Sequence, residues 1–148
     1  MPLIDLTLPQ GSISPDDRAK LADELTAVVL RAERAPDTDF FRSVTWAFVH
    51  ELPEGTITAG GAEPVFRVVF TVPDGALSDR RKQELVSEAT RVVSAAAGLG
   101  EADGLRVFVI ISEVPNGNWG AAGNVVDFEQ LREVAAAERE KSAEPAGA

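Results

Sequence analysis

The sequence has no cysteine and only one histidine, His50. Disulfides and thiolate metal sites are excluded, and a histidine-based metal centre or a Ser-His-Asp triad is not expected. Long apolar runs are also missing: stretches such as 107–111 fall far short of the roughly eighteen residues a bilayer demands, and the chain start lacks a basic region followed by an apolar one. A cytoplasmic protein with no membrane partner is expected. Positive charge is scarce, with 14 Lys and Arg against 24 Asp and Glu and a net charge of -10. That balance repels a phosphate backbone, so nucleic acid is not an expected partner. What remains is ordinary for a folded domain: 148 residues, 45% hydrophobic and 26% charged, enough for one real core.

The chain repeats itself. Leu8-Pro9-Gln10-Gly11 followed by Ser14 recurs 64 residues later as Val72-Pro73-Asp74-Gly75 followed by Ser78. The same offset carries Leu21, Leu25, Val28, Val29 and Ala32 onto Leu85, Ala89, Val92, Val93 and Ala96, a spacing that makes one apolar helical stripe. Ser14 with Pro15, and Ser78 with Asp79, are helix-start signals, while Gly98 suits the left-handed end of the second helix. Runs rich in Val, Ile and Phe precede the helices (3–8 and 65–72) and follow them (44–52 and 105–114), as strands require. The later strands end as Glu51-Leu52-Pro53-Glu54-Gly55 and Glu113-Val114-Pro115-Asn116-Gly117, an offset of 62, so two residues are lost between helix and strand in one copy.

Each copy therefore reads strand, helix, strand, with the strands parallel and the crossover right-handed. The expected fold class is α+β: two tandem beta-alpha-beta units pair their first strands, antiparallel, into a four-stranded sheet with both helices on one face. Trp46, Phe48, Phe108 and Ile110 share one parity, and Ala47, Val49, Val107, Val109 and Ile111 the other. Both faces are thus apolar and two helices cover only one, which predicts a closed homo-oligomer joined through the other face. The expected domain is 1–140, with repeats over 2–61 and 64–126, a glycine-rich hairpin over 118–126, a short helix over 128–140 begun by Asp127, and a flexible tail over 141–148.

Pro2-Leu3-Ile4-Asp5-Leu6 with Gly11, the helix after Ser14, the strands ending at Glu51 or Glu113, and Gly117-Asn118-Trp119-Gly120-Ala121-Ala122-Gly123 together resemble the tautomerase superfamily related to 4-oxalocrotonate tautomerase. The doubled length is similar to that family's fused members, and the resemblance implies a homotrimer with an N-terminal proline as catalyst. Excision of Met1 would leave Pro2 a secondary amine, whose reference pKa of about 7.7 to 8.0 falls when it is buried among apolar groups or near a cation. A neutral amine of this kind takes a proton beside a carbonyl and returns it elsewhere. The second copy has Phe66 at the same register, so one site per chain is expected.

The resemblance implies a cofactor-independent tautomerase acting on a small 2-oxo or enol carboxylic acid. The family's arginine after the first-strand glycine is absent, since Ser12 follows Gly11 and Ala76 follows Gly75. Arg42, Arg67 and Arg106 are the candidate carboxylate anchors in its place, each alternatively an edge salt bridge. Trp119 falls where the family has an aromatic pocket wall, or else anchors a subunit interface, and Asn118 either polarises a carbonyl or simply makes the turn. Asp39 resembles the aspartate of malonate semialdehyde decarboxylases, whose paired arginines at the start of the second-half helix are expected to be absent because Val72-Pro73-Asp74-Gly75-Ala76 replaces them, so hydration or decarboxylation is the weaker reading. His50 is an auxiliary candidate or a packing residue. The rival from another class is a non-catalytic oligomer on the same scaffold.

Overall fold

A computed structural model describes residues 1–61 and 63–143. The chain runs β1 (Leu3–Pro9), α1 (Pro15–Glu33), α2 (Asp39–Ser43), β2 (Trp46–Leu52), β3 (Phe66–Pro73), α3 (Asp79–Ala97), a 3-10 turn (Glu101–Arg106), β4 (Val107–Val114), the short strands β5 (Gly120–Ala121) and β6 (Asn124–Val125), and α4 (Phe128–Ala143). The main sheet has the order β2-β1-β3-β4, with β1 antiparallel to β3 and each outer strand parallel to its neighbour. This is the arrangement the doubled strand-helix-strand pattern predicts.

The pairing keeps the register of the sequence repeat. Leu3 opposes Trp46 in one half and Arg67 opposes Phe108 in the other, the offsets of 64 and 62 again. Gln10 donates its amide to Leu52 O at 2.8 Å, as Asp74 does to Val114 O at 2.8 Å. Even a surface ion pair is duplicated, Arg18 with Glu51 at 2.6 Å and Lys82 with Glu113 at 2.9 Å. Ser14 and Ser78 both accept the amide of the third helical residue, and both copies turn through a glycine at φ +78°, Gly11 and Gly75, a region other residues adopt at a cost.

Alternate residues of the central strands, Ile4, Leu6 and Leu8 with Val68, Phe70 and Val72, are fully buried against Leu21, Leu25 and Val29 of α1 and Leu85, Ala89 and Val93 of α3. The other sheet face carries no helix: Trp46 is 58% exposed and Phe108 61%, with Phe48 and Ile110 nearly as open. Between these apolar corners run polar rows, in which Asp5 pairs with His50 and Thr7 with Arg67.

The larger departures from the expected boundaries each have a local reason. Strand β2 starts at Trp46 because residues 39–43 wind into the unforeseen helix α2, with Thr38 capping the Phe41 amide and Val44 ending it. Strand β4 starts at Val107 because Leu105 and Arg106 complete the 3-10 turn. Helix α4 continues to Ala143, three residues past the expected end, and the rest of the expected tail, 144–148, lies outside the described residues.

Candidate active site

Strand β1 delivers the start of the chain into a cavity of about 260 Å³ between the two halves. Pro2 is buried, and its carbonyl accepts the Trp46 amide at 3.3 Å, which fixes the first residues to β2. The Met1 amine lies 3.9 Å from Oε2 of Glu33, the last residue of α1. Burial pushes that amine below its ordinary pKa, and the neighbouring carboxylate opposes the shift. For Glu33, whose side chain is only 7% exposed, burial drives the pKa up against the pull of the amine and of Arg81. Its second oxygen, Oε1, is buried with no hydrogen-bond partner among the described residues. A buried carboxylate oxygen without a partner is unfavourable in a folded interior.

Four arginines line the same cavity: Arg34 next to Glu33 in the chain, Arg81 from α3, whose charge acts on the carboxylate, and Arg132 and Arg139 from α4. Among the described residues none of the four forms an ion pair, whereas Arg18, Arg31, Arg42, Arg80, Arg91 and Arg106 all do. Arg81 is oriented from within, its Nη1 donating to Ala32 O at 3.0 Å and Ala76 O at 2.8 Å, and Arg139 donates to Arg34 O. Phe41, Phe128 and Leu131 supply an apolar wall. Helix α4 is held there by the buried Phe128, whose amide donates to Asn116 Oδ1. In a chain of net charge -10, this is a basic pocket around a buried amine, suited to a small organic anion.

Comparison of the two repeats isolates the same residues. Position 33 is Glu in the first copy and Ala97 in the second; position 34 is Arg, held at φ 57°, where the second copy has Gly98; and position 81 is Arg where the first copy has Asp17. Each is a local penalty: a carboxylate at a helix C-terminus, a non-glycine residue in the left-handed region, and a cation in the first turn of a helix. All three line one cavity. These mismatches were readable in the sequence by superimposing the copies, but periodicity alone passes over them.

The other candidates are distributed differently. Arg42 is committed to Asp37 and Asp23, whose oxygens lie at 2.5 and 2.6 Å. The guanidinium in turn holds the Asp37 carboxyl below the usual range. Arg67 donates to Thr7 at 3.2 Å and Arg106 to Pro64 O at 2.8 Å. The two line a separate cavity of about 500 Å³, with Phe66 where the first has the chain start. Since Thr7 and Arg67 are register partners, that cavity lies five residues along β1 from Pro2, about 16 Å at roughly 3.3 Å per residue. Within one chain, then, none of the three arginines joins the amine. Asp39 opens α2 and is exposed, so the carboxylate beside the amine is Glu33 instead. His50 is engaged by Asp5 at 2.8 Å on the open sheet face. Trp119 packs edge-on against Phe128, 6.5 Å between centroids, and so backs the cavity wall from behind; Asn118 is exposed in the turn, its amide on Pro115 O. Contrary to expectation, two arginines do stand at the start of the second-half helix, Arg80 and Arg81 in the first turn of α3, of which only Arg81 lines the first cavity.

Residues 68–137 match the family model for tautomerase enzymes. No curated protein matches the chain. Among solved structures it is similar to a fused 4-OT, a wild-type symmetric trimer, with 22% identity and a TM-score of 0.69 over 90% of this chain and 98% of that one. It is equally similar to Pt0534 inactivated by 2-oxo-3-pentynoate (20% identity, TM-score 0.71, 87% and 98% covered). A third is N1, of the cis-3-chloroacrylic acid dehalogenase family (20% identity, TM-score 0.71, 94% and 96% covered).

Proposed function

From the premise that this is a tautomerase-superfamily chain with the fused 4-OT fold, we propose that it is a cofactor-independent tautomerase of small 2-oxo or enol carboxylic acids, with Pro2 as general base after loss of Met1. The observation that carries the reading is the buried chain start in a cavity ringed by Arg34, Arg81, Arg132 and Arg139. A guanidinium fork matches a carboxylate in geometry and charge, and apolar walls favour the neutral amine over the ammonium. With the carboxylate on Arg81 or the α4 arginines, the enol end of a small substrate falls toward Pro2. Excision of Met1 clears the space that residue now fills. Arg67, on the open sheet face, serves in this reading only a substrate held by a neighbouring chain.

The reagent that inactivates Pt0534 tests the base directly. Incubation of the Met1-free protein with 2-oxo-3-pentynoate is expected to add one equivalent per chain, on the N-terminal peptide, with parallel loss of enol ketonisation. Labelling elsewhere, or none, refutes Pro2 as the nucleophilic amine and favours the non-catalytic scaffold.

The uncovered face with Trp46, Phe48, Phe108 and Ile110 supports a homotrimer, the assembly of the fused 4-OT relatives. Sedimentation is expected to give three times the 15.7 kDa chain mass. Phe108→Glu, on the edge strand β4 of that face, is expected to release monomers, and a monomeric parent protein at micromolar concentration would refute the assembly.

A further inference from the structure

We infer that Glu33 is the second proton-transfer group of this site, delivering to carbon the proton that replaces the one Pro2 takes from the enol oxygen. The inference rests on the proposed tautomerase reading and extends it to a residue at which the two repeats differ, Glu33 against Ala97.

The geometry comes first. Glu33 Oε2 is 3.9 Å from the Met1 amine, and the Pro2 nitrogen is one residue further in. Loss of Met1 therefore opens, between the Pro2 nitrogen and the carboxyl, a gap of about one residue, on the order of 3.8 Å from Cα to Cα. A flat enol acid placed there meets the amine on one side and the carboxyl on the other. Glu33 Oε1 is buried and has no hydrogen-bond partner among the described residues, which leaves it available to a group bound in the cavity. The charged groups that line the cavity with this carboxyl are the Met1 amine just ahead of β1, Arg34 at the end of α1, Asp74 in the turn after β3, Arg81 on α3, and Arg132 and Arg139 on α4. Burial outweighs the nearby cations and holds the carboxyl toward its protonated form, as a proton donor requires.

The step balances without any co-reactant. The Pro2 lone pair takes the enol O–H proton, and the O–H electron pair becomes the carbonyl π bond. The C=C pair forms a new C–H bond with the Glu33 proton, and the carboxyl O–H bond breaks to leave carboxylate. Return of the proton from the Pro2 ammonium to Glu33, directly or through a water molecule, resets both groups.

Ketonisation of the enol of phenylpyruvate, followed by its ultraviolet absorbance across pH, tests this. The parent protein is expected to give a bell-shaped kcat/KM whose two limbs belong to the coupled amine and carboxyl pair. Glu33→Gln is expected to lower kcat about 100-fold and to remove the descending limb, the usual scale of a lost general acid. Glu33→Asp, one methylene shorter, keeps the limb with reduced kcat and decides the matter should the amide variant fold poorly. A Glu33→Gln protein with unchanged kcat and both limbs, or a Glu33→Asp protein with unchanged kcat, overturns the inference alone. A parent protein that neither ketonises nor takes up 2-oxo-3-pentynoate overturns the tautomerase reading and this inference with it.

Discussion

Enol ketonisation is expected to fall at least 100-fold when Met1 is retained or a tag precedes Pro2, with the oligomer intact. An amide nitrogen delocalises its lone pair into the carbonyl and accepts no proton at neutral pH, so the general-base contribution of about 10²- to 10⁴-fold disappears. Retention does more than acylate the proline. The Met1 side chain and amine occupy the cavity beside Glu33, where the substrate would sit. Pro2→Ala, processed in the same way, keeps a primary amine at the right place and is expected to retain part of the activity. The measurement pairs intact mass with kcat/KM on each preparation. Full activity in a protein of unprocessed mass assigns catalysis elsewhere.

Arg81→Met is expected to raise KM for an acidic substrate about 10- to 100-fold, the equivalent of about 1.5 to 3 kcal/mol for hydrogen bonds to a charged group. Arg81 is chosen over the α4 arginines because two backbone carbonyls, Ala32 O and Ala76 O, fix its guanidinium before any ligand arrives. Lysine offers a point charge without the planar fork and is not expected to restore the constant. The pH profile supplies a second readout. Arg81 is one of the groups that hold the Glu33 pKa down, so its removal raises that pKa and moves the descending limb to higher pH. An unchanged KM, with the limb in its original place, would show that Arg81 only braces the loop.

Most of the fold could be read from the chain because it is written twice. Ser14 and Ser78 announce the helices, and the conserved offset fixes the pairing of Leu3 with Trp46 and of Arg67 with Phe108. The open apolar face followed from strand parity, and Trp46 and Phe108 are indeed exposed. Helix α2 was hidden because five residues give too short a periodic signal, and only Thr38 marks its start. The site was legible at one end only. Pro2 stands out by position, but the residues around it come from the ends of α1 and α3 and from α4, which no local pattern brings together. Arg42, Arg67 and Arg106 attracted attention as cations in or near strands, yet an ion pair, a threonine and a backbone carbonyl already engage them. The informative signal was the departure of one copy from the other.

At Arg34 that departure reaches the backbone itself. Its backbone sits at φ 57°, where the twin helix ends on Gly98 at φ 67°. A residue with a Cβ gives up roughly 1 to 2 kcal/mol in that region, so the first repeat is held below the stability its sister motif reaches at the same corner. Arg34→Gly would recover that strain and remove one guanidinium from the cavity rim. In the second repeat Gly98 meets the same backbone geometry without that cost, and its corner lines no part of this cavity.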